Sequence, residues 1–264
     1  MPIERFLGKV ILMTGATQGI GLEAARRVGL EGGKLVISSR QETNVKQAVT
    51  ELRNEGIDVH GMTCHQGERE DRRKLLDFTV RKYGGIDAVF MSAGVSPHHG
   101  NILTVTEDLF DKTFDVNVKE NFLFIQELVP FLEKRGRGSI VTNSTAIACD
   151  YGIGTLGKNL QLYAVSKFTQ AAMVYHVSRD SFAKNVRINC VLPGLIDTNF
   201  LKGGVSDAAY QGHLKKMSID PKASRLGKPS EVGSLVAFLL SEDSTFINGE
   251  SITCAGGVGS SRYC

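Results

Sequence analysis

The stretch TGATQGIGLEAARRV, residues 14–28, puts three glycines into eight positions and then turns into a charged, alanine-bearing helical pattern. It follows KVILMT (9–14), an apolar, β-branched run that reads as a buried strand, so the glycines fall where a strand hands over to a helix. Missing side chains serve three ends there. Gly15 permits a tight turn, Gly19 lets a pyrophosphate approach the chain at a helix N-terminus, and Gly21 lets helix and strand pack closely. Glycines at a strand end are also ordinary turn chemistry; their place on the first strand-to-helix connection favours a dinucleotide site.

Outward from this loop, further apolar runs appear at 34–39, 58–64, 86–91, 138–144, 186–192 and 250–254, separated by segments of helical spacing at roughly 19–31, 42–55, 68–83, 106–133, 162–183 and 230–241. Continuous apolar strands each followed by a helix predict an α/β fold, a doubly wound, Rossmann-type parallel sheet of seven strands flanked by helices. With no Pro/Ser-rich linker and no internal repeat, residues 1–264 are expected to form a single domain. Ligands of such sheets bind beyond the carboxyl ends of the strands, which directs attention to the loops after each run. The least regular region, Leu201 to Ser224, has the pattern of a lid over such a cleft.

Composition narrows the function classes. A net charge of +3 with 42% hydrophobic and 22% charged residues fits a folded globular protein and gives no basic concentration for nucleic acid. No run reaches bilayer length, and MPIERFLGKVILMTG carries no apolar stretch of signal-peptide size, so no membrane span is expected. The five cysteines, Cys64, Cys149, Cys190, Cys254 and Cys264, form no CxxC pair and fit a reducing compartment. His98 and His99 are adjacent on a loop without a completing acid or cysteine, so no metal site is expected.

Two further signals carry chemistry. After the second strand stand Ser38, Ser39 and Arg40, with no acid until Glu42. An acid there would hold a ribose 2′-hydroxyl, whereas a hydroxyl beside a guanidinium suits a 2′-phosphate, so NADP(H) is expected over NAD(H). In YAVSK, Tyr163 and Lys167 lie one helical turn apart on one face. Such pairs are common on exposed helices, but an ammonium about 5 Å from a phenolate at an effective dielectric near 20 attracts it by roughly 3 kcal/mol, on the order of two pKa units. That predicts a Tyr163 phenol lowered towards neutrality and able to act as general acid or base. Ser144, just after the fifth strand, is expected to donate a hydrogen bond to the same substrate oxygen.

The glycine spacing resembles the TGxxxGxG signature of short-chain dehydrogenases/reductases. MSAG (91–94), DVNVK (115–119), YAVSK and PGLIDT (193–198) follow in that family's order, and the resemblance spans nearly the whole chain. It implies a catalytic tetrad of Asn117, Ser144, Tyr163 and Lys167, in which Asn117 holds a water that links Lys167 to solvent and Lys167 also binds the nicotinamide ribose. It further implies cofactor contacts from Thr17, Gln18 and Ile20 in the glycine loop, from Ser39, Arg40 and His65 at the adenosine end, and from Ser92, Ala93 and Gly94. Pro193, Gly194, Ile196 and Thr198 would wrap the nicotinamide. SSRQETNVKQAV, CHQGEREDR and RLGKPSEV are similar to the NADPH-dependent carbonyl and retinal reductases of the family. This implies reduction of small-molecule ketones, aldehydes or α-dicarbonyls by a homotetramer built through the helices that hold Asn117 and Tyr163.

Departures from the pattern are Ser92 in place of asparagine, His65 in place of an adenine-side aspartate, and a long glycine-bearing stretch, CDYGIGTLGKNLQL, before Tyr163. The end, SSRYC, does not match a peroxisomal tripeptide such as SRL, and the cytosol is the expected setting, with peroxisome and mitochondrion left open. Two rival readings stand beside the reductase: an NAD-linked alcohol or hydroxysteroid dehydrogenase, and a dinucleotide-binding regulatory protein without catalysis.

Overall fold

The computed structural model describes residues 4–148, 159–200 and 225–257. The seven expected runs form one parallel sheet in the order β3-β2-β1-β4-β5-β6-β7. The strands are β1 (Val10–Thr14), β2 (Lys34–Ser39), β3 (Val59–Thr63), β4 (Ala88–Met91), β5 (Gly138–Asn143), β6 (Val186–Pro193) and β7 (Ser251–Cys254). The helices are α1 (Gly19–Leu30), α2 (Glu42–Asn54), α3 (Arg69–Tyr83), α4 (Glu107–Phe114), α5 (Glu120–Lys134), α6 (Gln161–Phe182) and α7 (Pro229–Leu240).

Strand alternation explains the layers. Ile11 and Met13 join a core with Ala24, Val28, Val232 and Val236 of α1 and α7, whereas Leu12 joins Phe124, Leu128 and Val174 of α5 and α6 on the opposite face. Both faces being covered, β6 is buried along its whole length. Each buried Val, Leu or Ile contributes about 1.5–3 kcal/mol relative to exposure. β1 pairs with both β2 and β4, so the chain reverses its direction of winding at β1, and a crevice opens beyond the strand ends there.

Two local features differ from the sequence reading. The single helix expected over 106–133 is α4 and α5 joined by a π-helical turn at Asp115–Lys119, DVNVK. Apolar spacing does not reveal one wide turn inside a continuous helix, yet such turns recur at functional sites, and this one carries Asn117. The fifth strand ends at Asn143, one residue short of the apolar run at 138–144, and Ser144 follows it as expected. The expected lid at 201–224, Cys149 to residue 158 of the long stretch before Tyr163, and the SSRYC terminus lie outside the described residues.

Candidate active site

A cleft of about 780 Å³ lies over the carboxyl ends of the strands. The glycine loop forms its centre. Gly15 has φ +63, and a side chain there would meet the Ala93 nitrogen at 2.7 Å, so the loop lies directly on the chain after β4. A Cβ on Gly21 would fall 2.2 Å from the Gly15 carbonyl oxygen, which lets α1 start against the strand end. No side chain caps α1 at Gln18, so its first backbone N–H groups face the cleft, where an anion is favoured.

Thr17, Gln18, Gly19, Ile20, Ser39, Arg40, His65, Ser92, Ala93, Gly94, Pro193, Gly194, Ile196 and Thr198 all line this cleft, together with Ser144, Tyr163 and Lys167. Ser92 accepts a 3.1 Å hydrogen bond from the Asn143 amide. Arg40 is exposed, and no carboxylate pairs with it among the described residues. His98 has a ring nitrogen 3.1 Å from the Asn101 carbonyl, and His99 is exposed.

At the opposite end from Arg40, Lys167 is 2% exposed, its Nζ bonded to the Asn143 carbonyl at 2.7 Å and to Gln170 Oε1 at 3.0 Å. One ammonium hydrogen is left for the cleft, and Nζ lies 5.8 Å from the centre of the Tyr163 ring. Asn117, fully buried below the cleft wall, donates to the Val95 carbonyl and to Ser166 Oγ at 2.9 Å each, and accepts from the Val95 nitrogen. It thus ties the loop after β4 to α6, one residue from Lys167.

The electrostatic balance differs from the expected one. Burial pushes the Tyr163 phenol well above its ordinary value, and burial lowers Lys167 to about 8. Loss of water disfavours the phenolate and the ammonium alike, and this outweighs the attraction between them that predicted a lowered phenol. The buried Cys190 is itself raised by burial and pushes the phenol further up.

Ser144 is also placed differently. Its hydroxyl donates to the Lys167 backbone carbonyl at 2.8 Å, and the residue is 3% exposed. Thr145, the next residue, also lines the cleft; its Oγ1 accepts from the Ile147 nitrogen at 3.4 Å and donates to nothing among the described residues. Sequence reasoning passed over Thr145 because two adjacent hydroxyls at a strand end look alike until the strand's last residue is known. It also passed over Glu120 and Phe200, both of which line the cleft. Phe200 packs against Tyr163 with ring centres 5.3 Å apart. Ile147, Leu160 and Leu195 add an apolar wall at this end.

Comparison with known proteins agrees with the geometry. Residues 15–259 match the family model described as enoyl-(acyl carrier protein) reductase. The chain is 40% identical over 250 residues to dehydrogenase/reductase SDR family member 4 of Oryctolagus cuniculus, covering 94% of this chain and 93% of that one. Among solved structures, it is similar to a 7α-hydroxysteroid dehydrogenase complexed with NADH and 7-oxo glycochenodeoxycholic acid, at TM-score 0.87 and 27% identity over 96% of each chain. It is also similar to an actinorhodin polyketide ketoreductase variant with NADPH, at TM-score 0.87 and 25% identity over 99% of this chain and 100% of that one. The order of the motifs, the extent of these matches and the strand-end cleft lead to one conclusion: the chain belongs to the short-chain dehydrogenase/reductase family of oxidoreductases.

Proposed function

We propose that this protein is an NADPH-dependent carbonyl reductase acting on apolar ketones, aldehydes or dicarbonyls, with retinal- or steroid-like compounds among the candidates. The observation that carries the reading is the Tyr163 ring set 5.8 Å from the amine of Lys167 at the apolar end of a cleft with dinucleotide-binding form. The residues fit the cofactor: the uncapped α1 N-terminus receives its phosphates, and the Arg40 guanidinium, without a carboxylate partner among the described residues, receives a 2′-phosphate with Ser39. Once bound, the nicotinamide supplies the hydride.

Tyr163 gives its proton to the carbonyl oxygen as negative charge develops there, because an alkoxide is a far stronger base than even a buried phenolate. Lys167 stabilises the phenolate left behind, and its remaining hydrogen is available to a ribose hydroxyl. Thr145 donates a hydrogen bond to the same oxygen, the role first expected of Ser144, whose own hydrogen is engaged by the Lys167 carbonyl. Asn117 holds the loop and α6 in register and sustains the proton route from Lys167 outward. Ile147, Leu160, Leu195 and Phe200 receive the apolar body of the substrate.

Exposed apolar side chains on α5 and α6, among them Phe122, Val165, Phe168 and Tyr175, support a homotetramer joined through these helices. Side-by-side kinetics with NADPH and NADH over a panel of ketones, quinones and aldehydes test the function. NADPH-dependent turnover is expected. A clear preference for NADH would favour the hydroxysteroid-type alternative, and binding without turnover would favour a non-catalytic role.

A further inference from the structure

The loop after β3 and the start of α5 meet at the adenosine end of the cleft, and there one carboxylate stands without a partner among the described residues. Glu120 lines the cleft beside His65, Gln66 and Gly67. Neither of its oxygens accepts a hydrogen bond among the described residues, and Oε2 is buried from water. The carboxylate lies hard against the loop, since a Cβ on Gly67 would fall 2.2 Å from Oε1. Nearby cations are engaged elsewhere. Arg72 grips Glu127 with two nitrogens at 2.9 Å and the Gln66 carbonyl at 2.8 Å, and Lys119 pairs with Asp115 at 3.0 Å. Of the charged or titratable groups that face it, His65, Arg72, Asp115 and Lys119, only His65 also lines the cleft.

A half-buried carboxylate without a donor is costly, and a ligand N–H brought against it recovers that cost. The loop around it is held rigid from below: Thr14 donates to Gln66 Oε1 at 2.9 Å, and Gln66 donates to Asn121 at 3.4 Å. The acceptor is therefore built into a fixed wall, one turn of chain beyond Asn117. The purine of a dinucleotide whose phosphates lie on the glycine loop reaches this end, and adenine offers an exocyclic amino donor on its edge.

We propose that Glu120 accepts a hydrogen bond from the exocyclic amino group of the cofactor's adenine and so selects adenine among purines. The inference rests on the dinucleotide reading of the cleft. It assigns to the start of α5 the work that an aspartate in place of His65 would do from the β3 loop.

The test is equilibrium binding, followed by nicotinamide fluorescence, of NADPH and of its hypoxanthine analogue, in which a carbonyl acceptor replaces the amino donor. The wild-type protein is expected to bind NADPH about tenfold to a hundredfold more tightly than the analogue, as for a hydrogen bond to a charged group. Glu120→Ala is expected to bring the two affinities within about threefold of each other. Glu120→Gln, which keeps the shape and can turn its amide to donate, is expected to narrow the ratio by gaining affinity for the analogue. An unchanged ratio in folded Glu120→Ala and Glu120→Gln proteins would overturn the assignment while leaving the dinucleotide site intact. Failure of wild-type protein to bind either dinucleotide would instead overturn the reading of the cleft itself.

Discussion

At the tyrosine end of the cleft, Lys167, Asn117 and Ser144 are bonded to the protein before any ligand arrives, through the Asn143 carbonyl, the Val95 backbone and the Lys167 carbonyl respectively. At the end proposed for the adenosine, Arg40 and Glu120 meet the cleft with no partner among the described residues. The difference is what the proposed function asks of each end. Proton transfer needs groups fixed to within a fraction of an ångström, so its side chains are buried and cross-linked. Recognition of a cofactor's charge and base edge needs donors and acceptors whose partners come with the ligand.

Substitutions at the two ends should therefore fail in different ways. After loss of the Tyr163 phenol, the largest effect is expected from Thr145→Ala, with kcat lowered about a hundredfold or more and cofactor affinity nearly unchanged. Ser144→Ala, which removes a tie to the α6 backbone, should lower kcat by no more than about tenfold and should also lower the melting temperature. If Ser144→Ala proves the more damaging to kcat in a protein of unchanged stability, the hydroxyl assignment reverses. Next in size, Arg40→Ala should cost about tenfold to a hundredfold in NADPH affinity and leave NADH nearly untouched, seen in parallel titrations. Equal losses for both cofactors would mean that Arg40 does not read a 2′-phosphate.

A smaller effect tests the prebuilt end through pH. Lys167 is lowered to about 8, so its charge is present below that value and lost as pH rises through it. Carbonyl reduction needs that charge to hold the phenolate, so kcat/KM is expected to fall above about pH 8. The guanidinium of Lys167→Arg stays charged, and the residual activity of this variant should keep its level to higher pH. The same lowering has a stability counterpart. Between about 8 and the ordinary lysine value of 10.5 the unfolded chain binds more protons, so this group's contribution to stability rises with pH across that window. A falling contribution there, measured as Lys167→Met against wild type, would contradict a buried ammonium.

The fold was legible because its signals are redundant: seven apolar runs, six helical spacings between them and a glycine loop at the first crossing all point to one architecture. The glycine loop was equally legible, since Gly15 and Gly21 act by lacking side chains, and Arg40 lines the cleft where a 2′-phosphate is proposed to sit. What escaped the sequence depended on single-residue geometry. Ser144 and Thr145 both line the cleft, and the pattern does not tell which hydroxyl is already spent on a protein carbonyl. The wide turn at Asp115–Lys119 leaves no mark on apolar spacing. Glu120 reads as an ordinary first-turn acid until β3's loop is folded over it. The direction of the Tyr163 shift was missed because spacing gives the distance to Lys167 but not the depth at which both are buried.

The most direct measurement is single-turnover reduction of a ketone by NADPH-loaded Tyr163→Phe protein, with NADPH binding measured on the same sample. The account predicts wild-type affinity for the cofactor and hydride transfer slowed by about a thousandfold or more. Transfer at an undiminished rate would show that the buried phenol is not the proton donor.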